Sequence, residues 1–186
     1  MPRLFVALQL PDGIRASVAR LCQGLPDARW TPDDSLHLTL RFIGDVDMPC
    51  FQEIGEMLAS ITAPPFDLAL RGIGQFPPRG PLRHLWAGVE AGEELARLRR
   101  RIDHVVREAG IELERRRFVP HVTLARFRQP PPVERMASWL ARRNLFRTES
   151  FPVDSFTLFS SRLRPEGSLY TIEAEYDFVR GVLFQP

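Results

Sequence analysis

The chain has 186 residues, 44% hydrophobic and 26% charged, ordinary values for a soluble globular protein and enough for one domain or two small lobes sharing an interface. No run approaches the eighteen or so apolar residues of a membrane span, and all 25 basic residues are arginine, which excludes a lysine nucleophile. Residues 1–95 hold 8 Arg against 12 Asp and Glu (net −4) and residues 96–186 hold 17 against 11 (net +6), so the second half is expected to be the phosphate-facing one.

Residues 3–10 alternate and read as a strand, ended by Pro11-Asp12-Gly13, which also offers a helix start. The opening run is too short and too β-like for a signal peptide, and a cytoplasmic location is expected. A helix over roughly 11–24 places Ile14, Val18, Leu21 and Leu25 on one face. A loop with Trp30, Pro32 and Asp33 leads into a strand carrying Leu36-His37-Leu38-Thr39-Leu40-Arg41-Phe42. A second helix over about 48–61 and a strand over 66–73 follow. Residues 74–81 hold too much Pro and Gly for regular structure and read as a connection between halves.

The order then restarts. Residues 84–90 read as a strand and 92–109 as a helix stopped by Gly110. A second unusual strand, around 118–127, carries Pro120-His121-Val122-Thr123-Leu124-Ala125-Arg126-Phe127. Pro130 to Pro132 open a helix to about 144, and strands follow over 151–161, 168–178 and, briefly, 182–184. The expected class is α+β: one bilobal domain over 1–186, with repeat halves at about 1–76 and 82–178. Each lobe is expected to be a small, mostly antiparallel sheet with helices on its outer face, and a cleft lies between the lobes.

The two motifs carry the chemistry. In each, a His and a Thr two residues apart point to one face of a strand while Leu38 and Leu40, or Val122 and Leu124, point to the other. The histidines stand 121 − 37 = 84 residues apart, close to half the chain, which suggests that two similar halves bring the pairs face to face. One His-x-Thr alone is most simply structural; two matched copies are not. His104, in an Arg-rich helix, reads as a surface residue, and His84 as a strand-opening residue served by solvent.

Zinc needs three or four ligands, and neither motif brings a carboxylate or thiol to the His/Thr face, so no metal is expected. Cys22 and Cys50 lack Cys-x-x-Cys spacing and read as plain thiols. An activated Thr nucleophile would not need duplicating, and no Asp stands in place to orient either His. Two imidazoles suit phosphoryl transfer, where one ring takes a proton from the entering oxygen and the other gives one to the leaving oxygen. Thr39 and Thr123 supply donors to the remaining oxygens and an Arg adds charge. Strand parity puts Arg41 on the face of His37 and Thr39. Arg126 is off parity with His121 and would need a bulge or the strand end to turn it into the cleft. Phe42, Phe76 and Phe127 are candidates to stack on a base or to fill the core.

The paired His-x-Thr pattern resembles the 2H phosphoesterase superfamily. The rest of the chain resembles its RNA 2′,3′-cyclic phosphodiesterase branch, also called 2′-5′ RNA ligase. The resemblance rests on Arg3-Leu4-Phe5-Val6-Ala7, Trp30 ahead of His37, both His-x-Thr runs, Leu85-Trp86-Ala87-Gly88-Val89 and the Leu158 to Tyr170 hairpin. It implies a pseudo-twofold bilobal fold, no metal or other cofactor, and hydrolysis of an RNA terminal 2′,3′-cyclic phosphate to a 2′-phosphate, with 2′-5′ ligation as the reverse. By the resemblance His37 donates a proton to the departing 3′-oxygen, His121 accepts one from water, and Arg126 is the arginine of the second motif. The expected partner is an RNA end, with no membrane, and the expected state is a monomer. A 2H enzyme acting on cyclic nucleotides or 2′-5′ oligonucleotides, or a non-catalytic module that binds RNA ends, stays open.

Overall fold

Local chemistry sets the element ends seen in the computed structural model, which describes residues 1–114, 117–164, 167–179 and 181–183. In chain order they are β1 (Arg3–Gln9), α1 (Asp12–Ala19), β2 (Ala28–Trp30), β3 (His37–Asp45), α2 (Met48–Leu58), β4 (Phe66–Phe76), β5 (His84–Glu90) and α3 (Glu93–Glu108). There follow β6 (His121–Phe127), α4 (Val133–Ala141), β7 (Phe151–Val153), β8 (Ser155–Arg164), β9 (Gly167–Asp177) and β10 (Gly181–Leu183). The Asp47 carboxylate accepts from the Cys50 backbone N–H at the start of α2, with Pro49 in the first turn, a pairing that satisfies an otherwise orphaned donor. Helix α3 buries Leu95, Leu98, Ile102, Val105 and Val106 along one stripe and stops at Gly110, whose φ of 81° few other residues adopt.

Besides shifts of about three residues at the end of α2, the start of β6 and the end of α4, four boundaries differ from the sequence reading. Helix α1 ends at Ala19 because the next residues tighten into turns, with Leu21 N–H on the Val18 carbonyl and Cys22 N–H on that of Ala19. Strand β2 arises where a loop was expected; three residues are too few to carry a periodic signal. Strand β4 runs past Gly74 to Phe76, paired with β5. The strand expected over 151–161 is two, separated at Asp154, whose carbonyl accepts from the Phe178 N–H. Of the expected last strand, 182 and 183 lie in β10 and 184 lies outside the described residues.

The strands form one antiparallel sheet in the order β10-β9-β8-β1-β3-β6-β5-β4-β7, with β2 also on β6. Helices pack on the face bearing Leu38, Leu40, Val122 and Leu124, and one continuous core joins them. Burying a Leu or Val fully contributes about 1.5–3 kcal/mol relative to exposure. On the opposite face Phe5, Ala7 and Phe159 make a small separate cluster. Among the described residues no helix is long and apolar enough to cross a membrane.

Strand exchange ties the halves together. Strand β4, from the first half, pairs with β5 of the second, and β8, from the second, pairs with β1 of the first. Each lobe of the sheet is therefore built from both sequence repeats. The lobes meet at β3 and β6, which pair at one position, Leu38 with Val122.

Candidate active site

That single pair organises the site. In an antiparallel register the residues beside a pair oppose each other in reverse order, so His37 stands opposite Thr123 and Thr39 opposite His121. All four side chains project from the face opposite Leu38 and Val122, into the concavity between the lobes. The two histidines occupy diagonal corners, a separation of about 7–8 Å between strands, room for one tetrahedral group between the rings.

Each imidazole is anchored the same way. His37 Nδ1 lies 2.7 Å from the Ser35 carbonyl and His121 Nδ1 2.7 Å from the Val119 carbonyl. A carbonyl only accepts, so Nδ1–H donates in both and Nε2 is the nitrogen left for chemistry. The missing aspartate noted in the sequence has its counterpart here in a backbone carbonyl two residues upstream. His37 packs against Phe5, Phe159 and Tyr170, with ring centroids at 5.0, 6.0 and 5.2 Å. His121 packs against Phe76 at 5.1 Å and Trp86 at 5.8 Å.

Burial disfavours the imidazolium. It pushes His37 down to about 4, opposed by the Ser35 carbonyl and reinforced by Arg126 and His121. It also lowers His121, opposed by the Val119 carbonyl. Without a bound anion both rings are neutral near pH 7.

The parity expectation for Arg41 does not hold. Strand β3 carries a bulge: Ala7 pairs with Thr39 but Val6 with Arg41, leaving Leu40 as the extra residue. The extra residue reverses the facing of Arg41 and Phe42, up to a second shift between Phe42 and Gly44. Arg41 accordingly points to the helix side, where its Nε and Nη2 each lie 2.6 Å from the Asp103 carboxylate of α3, and Arg99 joins Asp103 at 3.7 Å. Strand β6 has the same bulge, with Trp86 paired to Thr123 and Leu85 to Ala125. There it turns Arg126 to the cleft side, and the charge of Arg126 reaches both His37 and His84. Superposing the repeats, Ala125 takes the place of Arg41, and Arg126 that of Phe42.

Of the aromatic candidates, Phe42 is 67% exposed beside Phe5, Phe76 lies on His121, and Phe127 belongs to the core. Sequence reasoning missed Phe159 and Tyr170, which come to His37 from strands more than a hundred residues away. It also missed Trp86, whose indole rests over Gly74 so closely that a Cβ there would overlap the ring. Among the described residues the buried Trp86 Nε1 has no hydrogen-bond partner. A groove beside His37 is lined by Gln9, Ser35, Phe159, Leu169, Tyr170 and Ile172. A second hollow, lined by Thr62, Arg97, Arg100, Arg101 and His104, lies at the α2–α3 helices, away from His37 and His121. Its polar side chains are largely engaged, Arg97 by Glu93, Arg101 by the Thr62 carbonyl and His104 by Glu108. His104 is the surface residue the sequence suggested.

Two imidazoles, two hydroxyls and a cation around one cleft define a site of the two-histidine phosphoesterase type. The family profile of the 2′-5′ RNA ligase superfamily matches residues 7–164, and the chain belongs to that superfamily. An RNA 2′,3′-cyclic phosphodiesterase of Aeropyrum pernix is 37% identical over 158 residues, covering 84% of this chain and 88% of the relative. One from Thermus thermophilus is 35% identical over 186 residues, covering 91% and 87%. Among solved structures, the TT0787 protein of Thermus thermophilus matches with a TM-score of 0.76 at 32% identity, covering 96% of this chain and 98% of the other. E. coli LigT complexed with 3′-AMP matches with a TM-score of 0.76 at 27% identity, covering 97% and 100%.

Proposed function

We propose that this chain is an RNA 2′,3′-cyclic phosphodiesterase that opens the terminal ring without a metal, leaving a 2′-phosphate and a free 3′-hydroxyl. The observation that carries the reading is the diagonal placement of two imidazoles, each with Nδ1 fixed on a carbonyl and Nε2 free, about the Leu38–Val122 pair. The curated relatives named for that activity support it.

The cyclic phosphate sits between the rings with Thr39, Thr123 and Arg126 on its non-bridging oxygens. Its negative charge favours imidazolium, so substrate binding supplies His37 with the proton that burial otherwise denies it. Water attacks phosphorus, and His121 Nε2 takes its proton. The bond from phosphorus to the 3′-oxygen breaks on the opposite side, and His37 Nε2 protonates the leaving oxygen. The reaction ends with His121 protonated and His37 neutral, and exchange with solvent restores the start. General acid and base work of this kind contributes about 10²–10⁴-fold for each group. In reverse, with an RNA 5′-hydroxyl in the place of water, the same positions make a 2′-5′ linkage, a matter of alignment and not of new chemistry.

Incubation with an oligoribonucleotide ending in a 2′,3′-cyclic phosphate tests this. The expected product resists a 3′-specific phosphatase. Phosphate release by that enzyme would mean that the 2′-oxygen leaves and that the two rings flank the wrong bond. Binding with no turnover would make the chain an RNA-end binding module.

A further inference from the structure

Sheet register lines up Arg29, Arg126, His84 and Phe76 on four neighbouring strands, β2, β6, β5 and β4. Directly opposed residues point to one face of a sheet. That face is the cleft, because the Phe76 ring meets the His121 ring edge-on, while Trp30, next to Arg29, turns the other way to stack on Trp139 of α4. The row stands one step outward from the row of Thr123, Trp86 and Gly74, about 7 Å along the strands.

Arg29, His84 and Arg126 are all exposed. Among the described residues neither Arg29 nor Arg126 has a carboxylate partner, whereas Arg3, Arg15, Arg41, Arg71 and Arg97 each have one. Burial, with the positive field of Arg126 added, holds His84 below its ordinary value, so His84 offers the N–H of a neutral ring while Arg29 and Arg126 carry the charge. Uncompensated positive charge gathered at the rim of a cleft is the footprint of an anion. The repeat makes the contrast sharper: the corresponding row of the other lobe is Phe42, Phe5 and Phe159, with no charge. The two ends of the cleft are therefore chemically unlike, one aromatic and one cationic.

We propose that Arg29, Arg126 and His84 form a second phosphate subsite, which holds a phosphodiester of the RNA strand one nucleotide step from the phosphate between His37 and His121. The inference rests on the proposed RNA 2′,3′-cyclic phosphodiesterase function. The step along the strands is on the order of the spacing between successive phosphates of a nucleotide chain, and a guanidinium fork matches phosphate oxygens in pairs. Arg126 lies between the two phosphates and serves both. A mononucleotide reaches only the inner site, so the subsite makes the enzyme selective for oligonucleotide ends.

Two measurements test it. The first is kcat/KM on a nucleoside 2′,3′-cyclic phosphate and on a short oligoribonucleotide with the same terminus, for the parent protein, Arg29→Ala and His84→Gln. The parent should prefer the oligonucleotide, and Arg29→Ala should lower that preference about tenfold, mainly through KM, as expected for one charge-assisted contact. The second is equilibrium binding of an oligonucleotide ending in a 2′-phosphate over a range of salt, where Arg29→Ala should reduce the slope of log affinity against log salt by about one. If the parent turns over neither substrate, the catalytic reading fails and the salt slope still decides the subsite. A competing strand with a free 5′-hydroxyl and a blocked 3′ end distinguishes the source of the phosphate. Competition that depends on Arg29 assigns the subsite to the attacking strand of the reverse reaction; Arg29 dependence confined to the cyclic-ended oligonucleotide assigns it to the substrate strand. No Arg29 dependence in either arm, with the salt slope unchanged, overturns the proposal.

Discussion

Leu38 pairs with Val122 where β3 and β6 meet, the one ladder pair between those two strands. Both residues are fully buried, so the spacing of the His-x-Thr pairs rests on a small apolar contact beneath the cleft floor. Leu38→Ala is expected to cost about 2–5 kcal/mol, read as a lowered thermal midpoint. The Leu38→Ala/Val122→Ala cycle should show a coupling of at least about 0.5 kcal/mol. At a temperature where both variants are folded, Leu38→Ala should lose more activity than Leu68→Ala, a buried site on β4 away from the junction. Simple additivity, with equal activity losses, would mean that the junction does not set the spacing.

The two histidines should show themselves in the pH profile. Because kcat/KM reports the free enzyme, and burial lowers His37 to about 4 and lowers His121 as well, the bell should be centred on the acid side of about 6.5, the ordinary imidazole value. The two limbs belong to the coupled pair and not to either ring alone. In the complex the phosphate charge raises both rings, so the kcat profile should shift alkaline of the kcat/KM profile. An alkaline limb of kcat/KM above the ordinary imidazole value would contradict the neutral resting state.

The arginines separate in a different way. Asp103→Ala leaves Arg41 charged and nearly buried, and is expected to cost about 3–5 kcal/mol, much of it recovered when Arg41→Met and Asp103→Leu replace both partners with apolar groups. Arg126→Ala should leave the stability within about 0.5 kcal/mol of the parent, as an exposed position does, and lower kcat/KM by about tenfold or more. The opposite pattern, with Arg126 needed for folding and Arg41 for turnover, would restore the facing that simple strand alternation suggests.

What is legible from the chain is what repeats at short range. His37 and Thr39, like His121 and Thr123, lie within one stretch of unbroken alternation, so period two puts each pair on one face. Past Thr39 and Thr123 the alternation slips by one residue at matching bulges, and no local pattern marks the slip: Leu40-Arg41 and Leu124-Ala125 look like ordinary strand. The facing of Arg41 is hidden for that reason. Arg29 and His84 escape for another, since only pairing across β2, β6 and β5, strands far apart in the chain, sets them beside Arg126. The exchange of β4 and β8 between lobes is likewise a long-range property, although the element order of both halves can be read.

Chelation should leave turnover unchanged. The cleft offers imidazole nitrogens and hydroxyls but no convergent carboxylates, and among the described residues no three His, Cys, Asp or Glu gather to hold a metal. The nearby guanidinium of Arg126 disfavours a divalent cation further. Activity lost to a chelator and restored by a divalent ion would overturn the metal-free mechanism.

Gly74 is expected to matter although it touches no substrate. It pairs with Trp86 across β4 and β5, and a Cβ there would overlap the six-membered ring of the indole. The sheet holds both backbones, so in Gly74→Ala the ring must give way. It can move over His121 and Thr123, its neighbours on β6, or out into the cleft. Overpacking of this kind costs about 1–3 kcal/mol, and displacement of His121 by about 1 Å can cost on the order of a hundredfold in rate. Trimming the ring should relieve the clash: Gly74→Ala should destabilise the Trp86→Phe background much less than the parent. Gly74→Ala with parental kcat and thermal midpoint would show that the indole does not brace His121, and that the close approach of Gly74 to Trp86 is packing without consequence for that ring.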